Sequence, residues 1–476
     1  MFSFKQYING ELVEGKGRLT PVLCPDTGEA IGEVRVASED QAKLALEAAR
    51  DAFPSWSALT VEARGEWMLK LGAAIREETE KIAEIMAYET GKFISQSVME
   101  VGSLERSLNF FLDQAKTNYD QTIRDPMNRS LNLSIREPLG VIVGYIAWNF
   151  PMGNLATKLG PVLASGCTAV LKPATKTPLS TLYIGEIMHR IGFPAGVINF
   201  VVGSAREISS VLTKSDIPAM LTLIGSSNAG RELIRDSATS IKRFSLELGG
   251  NAPVIVTKNS DVTAAATASM GGKLRNCGQI CVSPQRVFVE RSVHDKFVAV
   301  AKKIADEAKC GAIYETDCDI SPMITPESVD RMESLVADAL SKGATLVAGG
   351  KRPDYKKKGY YFLPTILANV TPDMRVFREE VFGPILAVMA YDDLDKAIEM
   401  GNDTEYGLYA YAWTRDIVEA NKIARGLQFG TVSINGGSGG IHLPHGGIKE
   451  SGVGKDGSLY SLDEYYYIKS VRVPVV

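Results

Sequence analysis

The feature that most limits the fold is an alternation of apolar, strand-like runs with helical segments. GVIVGYIAW, which begins at Gly140, is a continuous apolar run, the pattern of a strand buried on both faces of a parallel sheet. Strand-like runs recur as CTAVLKP from Cys167, VINFVVG from Val197 and LTLIG from Leu221, with helical segments between them. This alternation indicates a doubly wound α/β unit.

The same alternation repeats after Asn251. Helices are predicted through Met270 and from Val293 to Ala308, and the strand-like runs are APVIV, RVFVE, TLVAGG, ILAVM, YAWTR and TVSIN. A chain of 476 residues is too long for one hydrophobic core, so two or three domains are expected. We therefore predict an α/β fold with two doubly wound units.

The segment before the first unit is predicted to hold short strands and then helices. Residues 1–36 carry β-like runs with turn signals, and Ser38 with Gln41 forms a capping-box pattern. The predicted helices run from this box to Pro54, from Thr60 to about Thr90, and from Ser95 to Asn118.

Composition argues against several classes of protein. The net charge is −4 and no basic stretch occurs, so no nucleic-acid partner is expected. No run reaches the ~18 apolar residues of a membrane span, and the first residues lack a secretory pattern. Six scattered cysteines are too few for a disulfide scaffold and favour a reducing, cytoplasmic setting. We find no metal-binding motif.

A thiol and a carboxylate stand in two glycine-flanked segments. Cys281 is the centre of RNCGQICVSPQR, and Glu247 lies in SLELGGN. Together they suggest a covalent nucleophile and a general base. Taken singly, each has a simpler interpretation, the cysteine as a small buried hydrophobic residue and the glutamate as a surface residue.

Several separated motifs connect these two residues to a known family. LELGGN, GQIC and EEVFGP occur in this order, AWNFP spans Ala147 to Pro151, and IKESGVGKDG lies near the end of the chain. The whole sequence resembles the aldehyde dehydrogenase superfamily, and most of all its succinate-semialdehyde dehydrogenase-like members.

The resemblance implies two Rossmann-like domains and a small β arm for oligomerisation. It implies a homodimer or homotetramer, because the arm of such proteins forms a sheet with the C-terminal tail. The implied division of this chain is a cofactor-binding domain of residues 1–118 and 139–250, a catalytic domain of residues 251–450 that carries Cys281, and an arm of residues 119–138 and 460–476.

The dinucleotide site cannot be located by a standard fingerprint, because no G-x-G-x-x-G follows the first strand. GSSNAG, from Gly225, lies between a strand and a helix, where backbone N–H groups can meet a pyrophosphate. The resemblance places the cofactor pyrophosphate at this turn, with Ser226 as a hydroxyl contact. It also assigns to the cofactor Ala147, Trp148, Glu380, which binds the nicotinamide ribose, and Phe382, which packs near the ring.

The adenine ribose is implied to lie at KPATKTP, at the end of another strand. Lys172 would lie near the ribose hydroxyls. Many members that prefer NAD carry a glutamate where this chain has Thr175, and Lys176 follows it. A neutral residue beside two lysines removes the repulsion of a 2′-phosphate. The cofactor is therefore predicted to be NADP or NAD, with NADP favoured.

The resemblance also implies the course of the reaction. Cys281 attacks the aldehyde to form a thiohemiacetal, whose O⁻ is stabilised by the Asn149 amide and the N–H of Cys281. Hydride transfer leaves a thioester, and Glu247 activates the water that hydrolyses it. Lys158 is predicted to stabilise charge near the thiol.

The segments implied to line the substrate tunnel are polar. They contribute Met152, Asn154, Thr157, Arg275, Ser438, His442 and His445. Arg275 could anchor a substrate carboxylate or pair with an acid of the protein itself. Succinate-semialdehyde dehydrogenases often carry a second arginine where this chain has Thr157, so lactaldehyde and ketoglutarate semialdehyde remain alternatives.

Three further alternatives concern the thiols and the class of protein. Cys281, Glu247 and Asn149 could form a cofactor-independent thiol esterase, although the cofactor segments argue against it. The intact residues argue against a non-catalytic binding protein. Cys277 could form a disulfide with Cys281 under oxidation, or simply pack in the core.

Overall fold

The structure, a computed structural model, describes residues 1–436 and 439–475, with the side chains of residues 205 and 206 left aside. Its strands are β1 (Phe2–Ser3), β2 (Gln6–Ile8), β3 (Glu11–Val13), β4 (Leu19–Leu23), β5 (Ala30–Arg35), β6 (Gln121–Ile123), β7 (Ser130–Pro138), β8 (Val141–Ile146), β9 (Thr168–Pro173), β10 (Ile198–Phe200), β11 (Pro218–Ile224), β12 (Arg243–Glu247), β13 (Ala252–Val256), β14 (Pro284–Glu290), β15 (Thr345–Ala348), β16 (Thr365–Ala368), β17 (Ile385–Tyr391), β18 (Tyr409–Trp413), β19 (Thr431–Ile434), β20 (Gly452–Val453) and β21 (Tyr466–Pro474).

The α-helices lie mostly between these strands, and a few short turns of other helix types accompany them. The helices are α1 (Glu39–Ser57), α2 (Val61–Glu77), α3 (Thr79–Thr90), α4 (Ile94–Thr117), α5 (Pro151–Ser165), α6 (Leu179–Arg190), α7 (Ser210–Lys214), α8 (Ser227–Asp236), α9 (Val262–Leu274), α10 (Arg291–Glu307), α11 (Pro326–Ser341), α12 (Arg375–Arg378), α13 (Leu394–Asn402), α14 (Ile417–Gly426) and α15 (Ser458–Glu464). The short elements are a π turn at Ala205–Ser209 and 3₁₀ turns at Arg275–Gly278 and Lys449–Ser451.

Two large sheets carry the fold, and the predicted α/β class with two doubly wound units is confirmed. The first has the order β20-β12-β11-β8-β9-β10-β2-β3, with a parallel centre and antiparallel edges. The second has the order β15-β16-β17-β14-β13-β18-β19 and is parallel except at β15. Two three-stranded sheets, β1-β5-β4 and β21-β7-β6, complete the topology.

Each large sheet is buried on both faces, which accounts for its apolar strands. Along β8, Ile142 packs into the core on one face, while its neighbours Val141 and Val143 pack into the core on the other. A strand covered on both sides has no polar face, so its residues do not alternate. This explains the unbroken run GVIVGYIAW in the sequence.

The N-terminal helices differ from the prediction at two points, and the first is that α1 continues through Pro54 to Ser57. Ser38 and Gln41 do form the capping box of α1. The single helix predicted from Thr60 to Thr90 is instead two helices, because the chain leaves helical geometry at Glu78. The Glu78 carboxylate is then free to accept hydrogen bonds from Tyr183 and Arg190 of α6.

The fold brings the carboxyl ends of the central parallel strands to one edge of the first sheet. β8, β9, β11 and β12 run in the same direction, and the segments AWNFP, KPATKTP, GSSNAG and LELGG follow or finish them. Ligands of open α/β sheets bind at this edge. Across the described part of the chain, no helix combines the length and apolarity needed to cross a membrane.

Candidate active site

A cavity of about 1390 Å³ lies at this edge and reaches residues of both units. Cofactor and ligand pockets usually measure ~300–1,000 Å³, so this one has room for a dinucleotide and a small substrate together. Most of the residues predicted from the sequence line it, namely Ala147, Trp148, Asn149, Asn154, Thr157, Lys172, Gly225, Ser226, Glu247, Arg275, Cys281, Glu380, Phe382 and His445.

Some predicted residues are not on the cavity wall. Met152 lies on the buried face of α5 and packs in the core, whereas Asn154 and Thr157 lie on the face that borders the cavity. His442 is exposed to solvent. Ser438 lies outside the described residues. Fewer residues of the predicted tunnel segments therefore line the cavity than the resemblance implied.

The loop that carries the thiol has an unusual backbone. After α9 ends, Asn276 and Cys277 both take left-handed conformations, with φ of 47° and 54°. Residues with a Cβ seldom adopt this region, and such strain collects at functional sites. The Asn276 amide donates to the carbonyls of Asn149 and Gln279, at 3.1 and 3.2 Å. These bonds tie the loop to the AWNFP segment.

The Cys281 thiol is half-buried in the cavity wall. Burial raises its pKa to about 12, with help from the nearby carboxylates of Glu247 and Glu380, while backbone N–H groups act in the opposite direction. A raised pKa favours the neutral form of the thiol in the free protein. A Cβ at Gly250 would collide with the Cys281 carbonyl, which explains why a glycine follows the LELG segment here.

The Asn149 amide is held in a fixed direction beside the thiol loop. Its Nδ2 donates to the Gln279 carbonyl at 3.1 Å, and its Oδ1 accepts from Asn154 Nδ2 at 3.3 Å. An amide nitrogen carries two hydrogens, so one donor remains for another acceptor. The side chain is only 7% exposed and lines the cavity, a position compatible with an oxyanion donor.

The Glu247 carboxylate ends β12 and is almost fully buried. Among the described residues, neither of its oxygens has a hydrogen-bond partner. Burial and the carboxylate of Asp456 raise the pKa of Glu247 well above its ordinary value, against the pull of Lys158 and Lys455. A buried, unpartnered carboxylate with a raised pKa suits a general base that works near neutral pH.

Lys158 is placed differently from the prediction. Its Nζ lies 2.5 Å from Asp456 Oδ1, and both side chains are buried. Charge from Lys158 acts on the pKa of Glu247, whereas the pKa of Cys281 responds to Glu247 and Glu380. The partner is 298 residues away in the chain, so the sequence could not reveal this pair.

Glu380, Trp148 and Phe382 form a part of the cavity wall that could hold a ribose and an aromatic ring. Glu380 accepts the Gly250 N–H at 2.9 Å, and burial raises the pKa of its carboxyl to about 7. A second carboxylate oxygen remains for ribose hydroxyls. Trp148 and Phe382 meet edge to face, with ring centroids 5.6 Å apart. Both rings border the cavity.

The residues at the other end fit phosphate groups. Ser226 caps α8, because its Oγ accepts the Ala229 N–H at 3.2 Å, and its own hydrogen remains free to donate. Lys172 lines the cavity, and burial lowers its pKa to about 8. Thr175 and Lys176 follow in the next loop and do not line the cavity, and Lys176 Nζ lies 5.9 Å from the Trp148 ring centroid.

Arg275 presents a guanidinium to the cavity without an acidic partner. Its Cζ lies 5.3 Å from the Phe150 ring centroid, and no carboxylate of the described residues forms an ion pair with it. The alternative that Arg275 pairs with an acid of the protein is therefore disfavoured. Thr157 uses its hydroxyl to bond the Asn154 carbonyl.

One wall of the cavity was not predicted from the sequence. Helix α4 contributes Gln96, Met99, Ser103 and Arg106, which are mostly polar. This wall exists because α4 packs along α5, the helix that carries Asn154 and Thr157. Lys92 and Glu100 also border the cavity as a buried ion pair of 2.5 Å.

Cys277 lies in the hydrophobic core of the second unit, where it is fully buried. Burial also raises the pKa of its thiol well above the ordinary value. Both observations favour the packing interpretation over a disulfide with Cys281. Within the parts of the chain that the structure covers, no group of three or more His, Cys, Asp or Glu residues could hold a metal ion.

The fold and the cavity, with a cysteine in its wall, are typical of a dinucleotide-dependent dehydrogenase. Comparison with known proteins identifies the family. The model of the aldehyde dehydrogenase family matches residues 12–471. An aspartate-semialdehyde dehydrogenase (non-phosphorylating) of Halomonas elongata is 38% identical over 471 residues, covering 98% of this chain and 95% of its own. An NADP-dependent succinate-semialdehyde dehydrogenase of Escherichia coli is 36% identical, covering 98% and 97%.

Solved structures agree with the sequence comparison. A betaine aldehyde dehydrogenase from Staphylococcus aureus, in complex with NAD+, superposes with a TM-score of 0.96 at 32% identity, covering 99% of this chain and 98% of its own. The chain belongs to the aldehyde dehydrogenase family. It is an NAD(P)-dependent aldehyde oxidoreductase, and the resemblance inferred from its motifs is confirmed.

Proposed function

We propose that this enzyme oxidises a small aldehyde bearing a carboxylate, of the succinate-semialdehyde type, to the carboxylic acid. The observation that carries the proposal is Arg275, a guanidinium on the cavity wall with no acidic partner in the described chain. A cation that the protein leaves uncompensated inside a cavity favours an anionic ligand. The relatives named above are dehydrogenases of aspartate and succinate semialdehydes, which are also carboxylate-bearing aldehydes.

The roles proposed for the remaining residues follow from their positions. Cys281 loses its thiol proton to solvent and adds as thiolate to the aldehyde carbon, and the free donor of Asn149 stabilises the oxygen anion of the resulting thiohemiacetal. The bound nicotinamide supplies a hydride acceptor. Glu247 then deprotonates the water that hydrolyses the thioester on Cys281, which releases the acid.

The cofactor contacts are proposed on the same geometric grounds. Glu380 offers a carboxylate oxygen to the nicotinamide ribose, and Ser226 with the first turn of α8 faces the pyrophosphate. Ala147, Trp148, Gly225 and Phe382 form the surrounding wall.

Replacing Arg275 by methionine is expected to lower kcat/KM for succinate semialdehyde about 10- to 100-fold, because one charge-assisted contact is lost. The value for butanal, which is neutral, should change less than threefold. Steady-state rates of cofactor reduction measure both. Arg275→Lys, which keeps the charge, should retain a larger part of the activity. Equal losses of kcat/KM for the two aldehydes would show that Arg275 does not bind the substrate carboxylate.

The chain length of the aldehyde is the open part of this proposal. Thr157 stands where many succinate-semialdehyde dehydrogenases have an arginine, and the structure offers Arg106 of α4 as the other guanidinium of the cavity wall. Lactaldehyde and ketoglutarate semialdehyde are therefore kept as alternatives. A panel of succinate semialdehyde, lactaldehyde and ketoglutarate semialdehyde, with glutarate semialdehyde added, ranks the four aldehydes by kcat/KM.

We propose that NADP is used in preference to NAD. Lys172 is a largely desolvated cation on the cavity wall that forms no ion pair with the described residues, although Glu207 acts on its pKa from a distance, and Thr175 is uncharged. Changing Thr175 to glutamate should lower kcat/KM for NADP about 30-fold or more through repulsion of the 2′-phosphate, with little effect on NAD. Thr175→Gln has the same shape without the charge and should leave the preference intact. Initial rates with each cofactor decide the matter, and strict use of NAD by the unaltered enzyme would refute the proposal.

We also propose that the arm of residues 119–138 and 460–476 joins copies of the chain into a homodimer or homotetramer. Its strands β7 and β21 pair along their full length, and apolar side chains such as Ile468 and Val473 remain exposed on them. Residues 1–118 with 139–250, and residues 251–450, are proposed as the cofactor-binding and catalytic domains. The free cysteines fit a cytoplasmic setting.

A further inference from the structure

His445 is the close polar neighbour of the buried Glu247 carboxylate. Its Nε2 lies 3.6 Å from Glu247 Oε2. Among the described residues, the carboxylate has no hydrogen-bond partner, although it is almost fully buried. Buried carboxylates are normally satisfied, so an exception needs an explanation in terms of chemistry or of a bound molecule. The 3.6 Å between Nε2 of His445 and Oε2 of Glu247 is longer than a hydrogen bond. Hydrogen bonds of catalytic groups are often this long in ligand-free enzymes and shorten when the ligand binds.

The backbone holds the imidazole at this place. The N–H of His445 donates to the Asp456 carbonyl at 2.7 Å, and the N–H of Asp456 donates to the His445 carbonyl at 2.6 Å. The next residue, Gly446, lies so close that a Cβ there would be 2.7 Å from Glu247 Oε1. The segment is thus pressed against the carboxylate, and only a glycine fits beside it.

The other ionisable groups around this pair have partners of their own. Lys158 and Asp456 bond each other. Lys455 donates its Nζ to the Gly446 carbonyl at 3.0 Å, and its backbone N–H donates to Glu464. His445 differs from these groups because 38% of its side chain is exposed, against 5% for Glu247. It therefore lies between the buried carboxylate and the open cavity.

We propose that His445 takes the proton from Glu247 during hydrolysis of the thioester and passes it to solvent through the cavity. The inference rests on the proposed function, since it needs the Cys281 thioester. The water oxygen bonds to the acyl carbon as one of its protons moves to Glu247. The C–S bond then breaks, the sulfur leaves as thiolate, and the carboxylic acid is free. The proton moves from Glu247 to Nε2 of His445 and then to solvent, so both groups return to their starting state.

The proton affinities of the two groups agree with this transfer. Burial raises the pKa of Glu247, and burial also lowers the pKa of His445, on which Asp456 acts in the raising direction and Lys158 and Lys455 in the lowering direction. Both shifts bring the pKa of a carboxylate and that of an imidazole towards each other. His445 acts through Glu247 and is a positioning and proton-accepting residue.

The test uses 4-nitrophenyl acetate and the full chain, without cofactor. The burst of nitrophenolate reports acylation of Cys281, and the later steady rate reports hydrolysis of the acyl-enzyme. His445→Phe should keep the burst amplitude and rate within twofold and lower the steady rate about 10- to 100-fold. Imidazole added to the buffer should raise the steady rate of His445→Phe at least fivefold. His442→Phe, on an exposed histidine three positions earlier, is the matched control and should match the unaltered enzyme in both phases.

His445→Gln separates proton transfer from simple hydrogen bonding, and it decides the question if phenylalanine disturbs folding. A steady rate as low as that of His445→Phe supports the proposal. Restored hydrolysis in His445→Gln, an equal loss in burst and steady rate, or a change confined to KM would overturn it. If Arg275→Met loses activity equally on both aldehydes while the His445 variants behave as expected on the ester, only the proposed substrate class is overturned. The two proposals can therefore fail independently.

Discussion

Cys281→Ala is expected to abolish aldehyde oxidation, with a loss of about 10⁴-fold or more in kcat/KM. The sulfur forms the only covalent link in the proposed route, and removing a nucleophile typically removes almost all of the rate enhancement. Reduced-cofactor absorbance with an aldehyde in excess measures the effect. Cofactor binding, followed by protein fluorescence, should survive, because the Lys172 and Glu380 ends of the cavity are unchanged.

Cys277→Ala is the matched control for this experiment. It removes a thiol from the same loop, four positions earlier, whose side chain packs in the core and does not border the cavity. Its turnover should stay within a fewfold of the unaltered enzyme. Oxidation that persists in Cys281→Ala, or a quenched reaction that carries no acyl group on the peptide around Cys281, would contradict the covalent route.

Glu247→Gln is expected to lower kcat about 10²- to 10⁴-fold, the usual contribution of general acid–base catalysis. The amide keeps the size of the side chain but cannot take a proton from water. Formation of the thioester does not need that proton, so a burst of reduced cofactor should appear before a slow steady rate. Stopped-flow absorbance resolves the two phases, and mass spectrometry of the quenched enzyme should find the acyl group on Cys281.

The pH dependence of the unaltered enzyme supplies a second test of the role of Glu247 as a base. Glu247 works as a base only when ionised, and its pKa is raised above its ordinary value. The hydrolysis rate should therefore fall as the pH drops through that raised pKa, and Glu247→Gln should lose this limb. Glu450→Gln, which alters a half-exposed acid paired with Arg231, is the control and should keep it. Loss of the burst together with the steady rate in Glu247→Gln would place the carboxylate in an earlier step.

The arrangement of the thiol and its neighbours shows which parts of the site depend on packing. Asn276 and Gln279 read as small polar residues in the sequence, but in the fold their amides hold the loop that carries Cys281. Glycines follow Glu247 in the sequence, and the fold shows that Gly250 is needed because the Cys281 carbonyl lies against it. The motifs therefore identified the segments that form the site. The contacts between these segments explain why particular residues occur in them.

The amino-acid sequence alone was enough to identify the strands and the motifs that follow them, because apolar runs and the polar residues that end them are local patterns. Parallel strands place their carboxyl ends at one edge through backbone hydrogen bonds, so motifs at those ends meet whatever the side chains elsewhere do. The Lys158–Asp456 pair, the α4 wall and the approach of His445 to Glu247 became visible only in the folded chain. These contacts join segments far apart in the chain, and they arise from the close packing of helices and loops, which no local pattern encodes.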